Sequence, residues 1–126
     1  MIRVYVAGAY SDDNVLGVLK NIGRGEYYAA QLFLDGFAPF TPWHDKDFVL
    51  KFWEHEFTVD MFYEYSMAWL RVSDCVFIVP DVVNLKKYQD SKGTLKEIAE
   101  AERLGIPVFY EYKNLLEWSK LKRIKI

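Results

Sequence analysis

Short apolar segments alternate along this chain with longer segments of helical periodicity, and this alternation restricts the possible folds. Four segments are short, apolar and rich in β-branched and aromatic residues, which predicts strands near 2–6, 37–40, 75–79 and 107–110. The longer segments predict helices near 15–35, 58–72, 91–104 and 114–126. Strands that alternate with helices in this order predict a parallel sheet covered by helices on both faces.

The expected fold class is α/β, with four to five parallel strands in one Rossmann-like or flavodoxin-like domain over 1–126. Right-handed crossovers favour a sheet in which the first and third strands are central neighbours. The loops that follow them, 7–14 and 80–91, should then line one crevice at the carboxyl edge. Ligands bind at this edge of open α/β sheets.

Two details of the helices are also predicted. In the first helix the apolar positions that fit a helical period are Leu16, Leu19, Ala29, Leu32 and Phe33. Gly36 should end that helix. The segment 43–57, dense in aromatic and charged residues, is expected to be irregular or partly helical.

Composition narrows the function classes. The chain is 52% hydrophobic and 17% aromatic, which excludes disorder, and its formal net charge of -2 argues against a nucleic-acid partner. No segment has the roughly 18 apolar residues of a membrane span. The one cysteine, Cys75, lies in an apolar run, so it is expected to be a buried thiol in a reducing cytoplasm.

One polar segment lies at the edge of the predicted sheet where a ligand site is expected. Ser91 and Gly93 follow the third strand and open a helix, and Glu97 lies one to two turns further on. The free N–H groups and the dipole at a helix start attract anions, and the glutamate can face the same cavity. The alternative is structural, with Ser91 as an N-cap and Glu97 as a solvated helix residue.

Five segments together resemble the nucleoside 2-deoxyribosyltransferase superfamily, which includes deoxyribosyltransferases and 2'-deoxynucleoside 5'-phosphate N-hydrolases. They are Tyr5-Val6-Ala7-Gly8-Ala9-Tyr10-Ser11, Gly36-Phe37-Ala38-Pro39-Phe40-Thr41-Pro42, Ser73-Asp74, Ser91-x-Gly93-x-x-x-Glu97 and Gly105-Ile106-Pro107-Val108. The resemblance extends over about residues 1–110. It implies N-glycosidic cleavage or base exchange on 2'-deoxynucleosides or their 5'-monophosphates, with no cofactor or metal.

The resemblance also implies roles for single residues. Glu97 matches the nucleophile that attacks the anomeric carbon, and Tyr5 matches the tyrosine that hydrogen-bonds to it. Asp74 matches an aspartate that serves the base or sugar and can carry a proton. Family members act as oligomers, so a homo-oligomer is expected.

Substrate binding is predicted at five further residues. Gly8, Ser91 and Gly93 belong to the small-residue loops, whereas Trp43 and His44 follow the second strand and are expected to line the base pocket. Deoxyribosyltransferases have aspartate where this chain has Ser91, and the nucleotide hydrolases have serine. A hydroxyl suits a phosphate dianion, so the departure favours a 5'-monophosphate substrate.

Other interpretations remain open from the sequence. The crevice could belong to a non-catalytic module that senses a nucleotide-like ligand, or to a flavodoxin-like domain that serves only as a partner surface. His44 could equally be a surface histidine. A metal site is not predicted, because His55-Glu56 lacks the second histidine of a zinc-protease helix and Val59 stands in its place.

Overall fold

A parallel sheet forms the centre of the fold. The computed structural model describes residues 1–10, 13–80 and 92–124. Within these residues the sheet has four strands in the order β2-β1-β3-β4, with bounds β1 Arg3–Ala7, β2 Ala38–Phe40, β3 Cys75–Ile78 and β4 Val108–Phe109. Each neighbouring pair of strands is parallel. The predicted α/β class is therefore confirmed, as is the central pairing of the first and third strands.

The helices lie where the periodicity predicts them and differ only at their ends. Their bounds are α1 Val15–Leu34, α2 Lys46–Lys51, α3 Val59–Leu70, α4 Lys92–Leu104 and α5 Tyr112–Ile124. A short 3-10 helix, Pro42–Asp45, runs directly into α2. The segment expected to be irregular or partly helical thus contains two short helices.

Local capping chemistry explains where the helices begin and end. The side chains of Asn14 and Thr58 accept hydrogen bonds of 2.9 and 3.2 Å from backbone N–H groups in the first turns of α1 and α3. Gly36 and Gly105 follow α1 and α4 with φ of 90° and 71°. This left-handed conformation strains residues with a Cβ, so glycine ends both helices at little cost.

Alternate residues of β1 face opposite sides of the sheet. Val4 and Val6 pack with residues of α1 and α5 in one hydrophobic cluster, whereas Tyr5 and Ala7 pack with residues of α3 and α4 in the other. The period of two in a strand produces this separation. Helices therefore cover both faces of the sheet, and the Tyr5 side chain lies on the α3 and α4 face.

The buried face of α1 differs in part from the predicted one. Ala29 and Leu32 are buried as expected, but Leu16, Leu19 and Phe33 are exposed by 68%, 56% and 67%. Gly25 is buried instead, because the indole of Trp43 lies against it. The close packing of the Trp43 ring on Gly25 decides which side of α1 faces the core. The spacing of apolar residues in the sequence does not reveal this contact.

Candidate active site

A crevice opens at the carboxyl edge of β1 and β3. Its volume is about 630 Å³, within the usual range for small-molecule sites. The walls come from the loop after β1, the 3-10 helix with α2, one side of α3 and the first turns of α4. Because parallel strands end together here, side chains distant in sequence meet at this edge.

Glu97 projects from α4 into this crevice. Its side chain is only 9% exposed, and Oε2 has no hydrogen-bond partner among the described residues. Burial raises the pKa of Glu97 to about 7, because a charged carboxylate is poorly solvated there. Gly93 lies one turn earlier, and a Cβ there would stand 4.0 Å from Glu97 Oε1. The predicted approach of Gly93 and Glu97 is therefore present.

Tyr5 lies beneath Glu97, in the middle of the sheet. It pairs in register with Phe40 on one side and Val76 on the other, and its ring stacks on Phe40 at 5.5 Å. Burial raises the pKa of Tyr5 well above its usual value, and the negative charge of Glu97 adds to the rise, while the Ser66 hydroxyl opposes it.

The Tyr5 hydroxyl in turn favours the charged form of Glu97, which opposes the effect of burial. The two groups interact without completing a hydrogen bond, since Tyr5 Oη has no partner that meets hydrogen-bond geometry among the described residues. The Tyr5 hydroxyl is therefore left available as a hydrogen-bond donor at the site.

A second tyrosine hydroxyl faces the same carboxylate. Tyr63 lines the crevice from α3, and its Oη is buried without a hydrogen-bond partner among the described residues. Burial, and then the charges of Glu97 and Glu100, raise the pKa of Tyr63 to about 12. In the part of the chain that is described, the buried side-chain polar atoms without a partner are Tyr5 Oη, Tyr63 Oη and Glu97 Oε2. Such atoms are rare in folded proteins, and here they cluster at one site.

Trp43 forms a rigid wall of the crevice. It is 1% exposed, and its Nε1 donates to the Ala9 carbonyl at 3.2 Å. A Cβ on Gly8 would lie 3.3 Å from the ring, and a Cβ on Gly25 only 2.5 Å from it. Both glycines thus allow the indole to sit between the first loop and α1. The structure places the predicted residues Gly8 and Trp43 at the crevice.

Asp74 does not reach the crevice, contrary to the prediction. It precedes β3, at the edge of the sheet where the strands begin, whereas Glu97 lies towards the edge where they end. Its Oδ2 accepts from the Arg3 backbone N–H at 2.8 Å, and its Oδ1 lies 3.5 Å from Lys122 Nζ. Asp74 therefore ties the start of β1 and α5 to β3. The length of the intervening strand separates it from the crevice.

His44 is also turned away from the crevice, so its predicted place in the base pocket is wrong. Nδ1 donates to the Thr41 carbonyl, and Nε2 lies 3.2 Å from the Tyr65 hydroxyl. The ring packs edge-on against Phe40 and Phe48. Trp43 thus lines the crevice, whereas the adjacent His44 packs on the aromatic side chains behind it.

Ser91 lies outside the described residues, immediately before the first residue of α4. The described crevice residues that motif reasoning did not assign to the site include Asp45 on the 3-10 helix and Tyr63 and Ser66 on α3. The two on α3 could have been found from helical spacing. Val59, Phe62, Tyr63, Ser66 and Met67 recur at steps of three and four residues, and all of them line the crevice.

The described residues contain no group of three or more His, Cys, Asp or Glu side chains arranged to hold a metal ion. Among their helices none combines the length and the apolar character needed to cross a bilayer.

Comparison with known proteins supports the architecture. No family model and no curated protein sequence matches the chain. Among solved structures, a 2-deoxyribosyltransferase from the psychrotolerant bacterium Bacillus psychrosaccharolyticus is similar, with a TM-score of 0.56. The sequences are 22% identical, and the match covers 84% of this chain and 69% of the other. This chain therefore has the fold of a 2-deoxyribosyltransferase.

Proposed function

We propose that this protein cleaves the N-glycosidic bond of 2'-deoxynucleosides or their 5'-monophosphates, with Glu97 as nucleophile. The observation that carries the proposal is the buried Glu97 carboxyl, whose free Oε2 shares a nucleoside-sized crevice with two uncommitted tyrosine hydroxyls. Burying such groups without partners costs free energy, and sites that bind a ligand repay this cost when it binds. The solved structure of similar fold is that of a 2-deoxyribosyltransferase.

The chemistry follows from a carboxylate that is poorly solvated. Ionised Glu97 attacks the anomeric carbon, a C–O bond forms, and the C–N bond breaks with its electron pair leaving on the base. Water or a second base then attacks the same carbon and regenerates the carboxylate, as in retaining glycosidases. With a pKa of about 7, a large share of Glu97 is ionised near neutral pH. The uncommitted hydroxyls of Tyr5 and Tyr63 are available to donate to the carboxylate or to the sugar once a substrate is bound.

The proposed placement of the substrate follows the walls of the crevice. Phe62 and Val49 offer aromatic and apolar surface for the base. The first turn of α4 provides the Lys92 cation and backbone N–H groups, which suit a 5'-phosphate. Ser91 precedes this turn in sequence, and the resemblance to the nucleotide hydrolases assigns it to the same phosphate.

A non-catalytic nucleotide-sensing module is the alternative. It would use the same aromatic wall and the same helix start. It would not need a buried carboxyl, because an apolar side chain at position 97 would bind a sugar face without a desolvation cost. The aimed carboxyl of Glu97 thus favours catalysis over sensing.

Product analysis tests the proposal directly. The purified protein is incubated with deoxynucleosides, their 5'-monophosphates and p-nitrophenyl 2-deoxyriboside, with and without an acceptor base. Release of free base or of p-nitrophenol supports catalysis, and a new nucleoside identifies transfer. Glu97→Gln should abolish release while ligand affinity stays within about tenfold, since the amide keeps shape and hydrogen bonding. Glu102→Gln, on the exposed side of α4, is the matched control.

Further results distinguish covalent catalysis by Glu97 from a non-catalytic sensing module. A covalent 2-fluoro-deoxyribosyl adduct on Glu97, detected by mass spectrometry, is the expected positive evidence. Full activity of Glu97→Gln would rule out the covalent mechanism. Binding of nucleotides with no turnover of any substrate in the panel would instead establish the sensing module.

The phosphate assignment has its own test. Ser91→Asp places a negative charge next to the first turn of α4, which should repel a phosphate dianion but not a neutral nucleoside. We expect kcat/KM for 5'-monophosphates to fall at least tenfold more than that for nucleosides. An equal loss for both substrates would show that Ser91 only caps the helix.

We also propose a homo-oligomer, most simply a two-fold dimer. Large apolar side chains are exposed on α2, on α3 and between them, beside the crevice: Leu50 72%, Phe52 61%, Trp53 79%, Val59 80% and Met61 52%. Apolar surface of this kind favours contact between copies. Light scattering at micromolar concentration should report a dimer or larger species, and a monomer would contradict the proposal.

A further inference from the structure

A second carboxyl, that of Asp45, is buried in the crevice. Asp45 ends the 3-10 helix and precedes α2, and its side chain is 8% exposed. It stands at the N-cap position of α2, where aspartate normally accepts a hydrogen bond from the first turn, but it makes no such side-chain cap. Capping therefore does not explain why an aspartate occupies this position.

No ion pair neutralises Asp45 among the described residues. Its neighbour Lys46 is directed elsewhere, because its Nζ lies 3.2 Å from Glu26 Oε1 and donates to the Trp43 carbonyl at 3.3 Å. Burial raises the pKa of Asp45, while the nearby charges of His44 and Lys46 and the backbone N–H of Lys46 oppose the rise. A buried carboxyl without an ion pair is costly, which is typical of a functional position.

The two buried carboxyls face one crevice from separate walls. Asp45 belongs to the 3-10 helix and Glu97 to α4, and both line the same 630 Å³ volume. Neither charge contributes to the pKa shift of the other, so they are not a closely coupled pair. A substrate whose sugar meets Glu97 would present its base to another wall of this crevice, and Asp45 lines one of these walls.

We propose that Asp45 reads the base and selects substrates whose base carries an exocyclic amino group. The inference rests on the proposed function, in which Glu97 attacks the sugar. An ionised carboxylate offers only acceptor atoms, so it binds an amino N–H and repels a carbonyl oxygen. A base with oxygen at that position would set an acceptor against the Asp45 carboxylate, which lowers its binding and turnover.

Matched substrate pairs test this preference. 2'-Deoxyadenosine and 2'-deoxyinosine exchange an amino group for an oxygen, and the adjacent ring nitrogen gains a hydrogen in the oxo member. The same holds for 2'-deoxycytidine and 2'-deoxyuridine, and the 5'-monophosphates give the same pairs. We expect the wild-type kcat/KM to favour the amino member of at least one pair by about tenfold or more. Asp45→Asn, whose amide can donate to a carbonyl oxygen, should reverse that ratio. Asp47→Asn on the exposed side of α2 is the control and should leave it unchanged.

A leaving group without amino or oxo substituents separates recognition from damage to the fold. Asp45→Asn should cleave purine 2'-deoxyriboside, which has hydrogen in place of the amino group, within about threefold of wild type, because that position offers Asp45 neither a donor nor an acceptor. An equal loss on every substrate would assign Asp45 a structural role and overturn the inference.

If the Asp45 variant does not fold, the wild-type protein alone still tests whether Asp45 reads the base. Equal turnover of both members in both pairs overturns the base-reading role and leaves the Glu97 mechanism intact. Absence of turnover on the whole panel, the p-nitrophenyl substrate included, overturns the proposed function and the inference together.

Discussion

Replacing Glu97 with glutamine should stabilise the fold at alkaline pH. The carboxyl has a pKa of about 7 in the folded protein against 4.5 when solvated. Between these values the folded state keeps a proton that the unfolded chain has released, so stability falls as pH rises through this window. Above about pH 7 the loss is complete. A rise of two to three units at about 1.4 kcal/mol per unit gives a penalty of about 3 kcal/mol.

Urea unfolding measures this penalty. The free energy of unfolding of the wild type, Glu97→Gln and the control Glu102→Gln is compared at about pH 5 and about pH 8. The advantage of Glu97→Gln over the wild type should grow by about 2 to 3 kcal/mol between the two conditions, because glutamine carries no proton to release. The control should follow the wild type. Parallel pH curves for all three proteins would refute the claim that Glu97 is buried in a poorly solvating site.

Three further predictions follow from the site and its surroundings. Base release should increase with pH and level off above about pH 7, because Glu97 must be ionised to attack; a kcat/KM profile without this acid limb would contradict that requirement. Gly25→Ala should lower the free energy of unfolding by about 1 to 3 kcal/mol, since the clash with the buried Trp43 ring outweighs the helix propensity gained; thermal unfolding measures it. Asp74→Asn weakens the contact with Lys122 but should leave kcat/KM within about twofold, as steady-state assays will show.

The order of elements could be predicted from sequence because it depends on short-range pattern. Four apolar strands separated by periodic helices allow few parallel arrangements, and the sheet order follows from crossover handedness. The parts of the site that lie within one sequence motif could be predicted equally well. Gly93 and Glu97 share one turn of α4, so their approach is a property of the helix itself.

Positions that depend on packing between helices and strands could not be predicted from the sequence pattern. Asp74 was assigned to the crevice through the family resemblance, which required local bending at the start of β3, but it stays at the opposite edge of the sheet. Asp45 and Tyr63 reach the crevice only because the 3-10 helix and α3 pack over the end of β1. Leu16 is likewise exposed because α1 packs on the core through the side that contains Gly25. These outcomes depend on rotations of whole elements, which a linear pattern does not encode.

Because Tyr5 lies in the middle of a central strand, its position beneath Glu97 depends on the register of β1. A slip of β1 by one residue against Phe40 and Val76 would move the Tyr5 hydroxyl to the opposite face of the sheet, away from Glu97. The same slip would place Val4 or Val6 on the α3 and α4 side. A misregistered chain could keep its helices and its compactness and yet have no tyrosine beneath its carboxylate. Recovery of base release during refolding would therefore follow the correct alignment of β1, and could lag behind the recovery of helical circular dichroism.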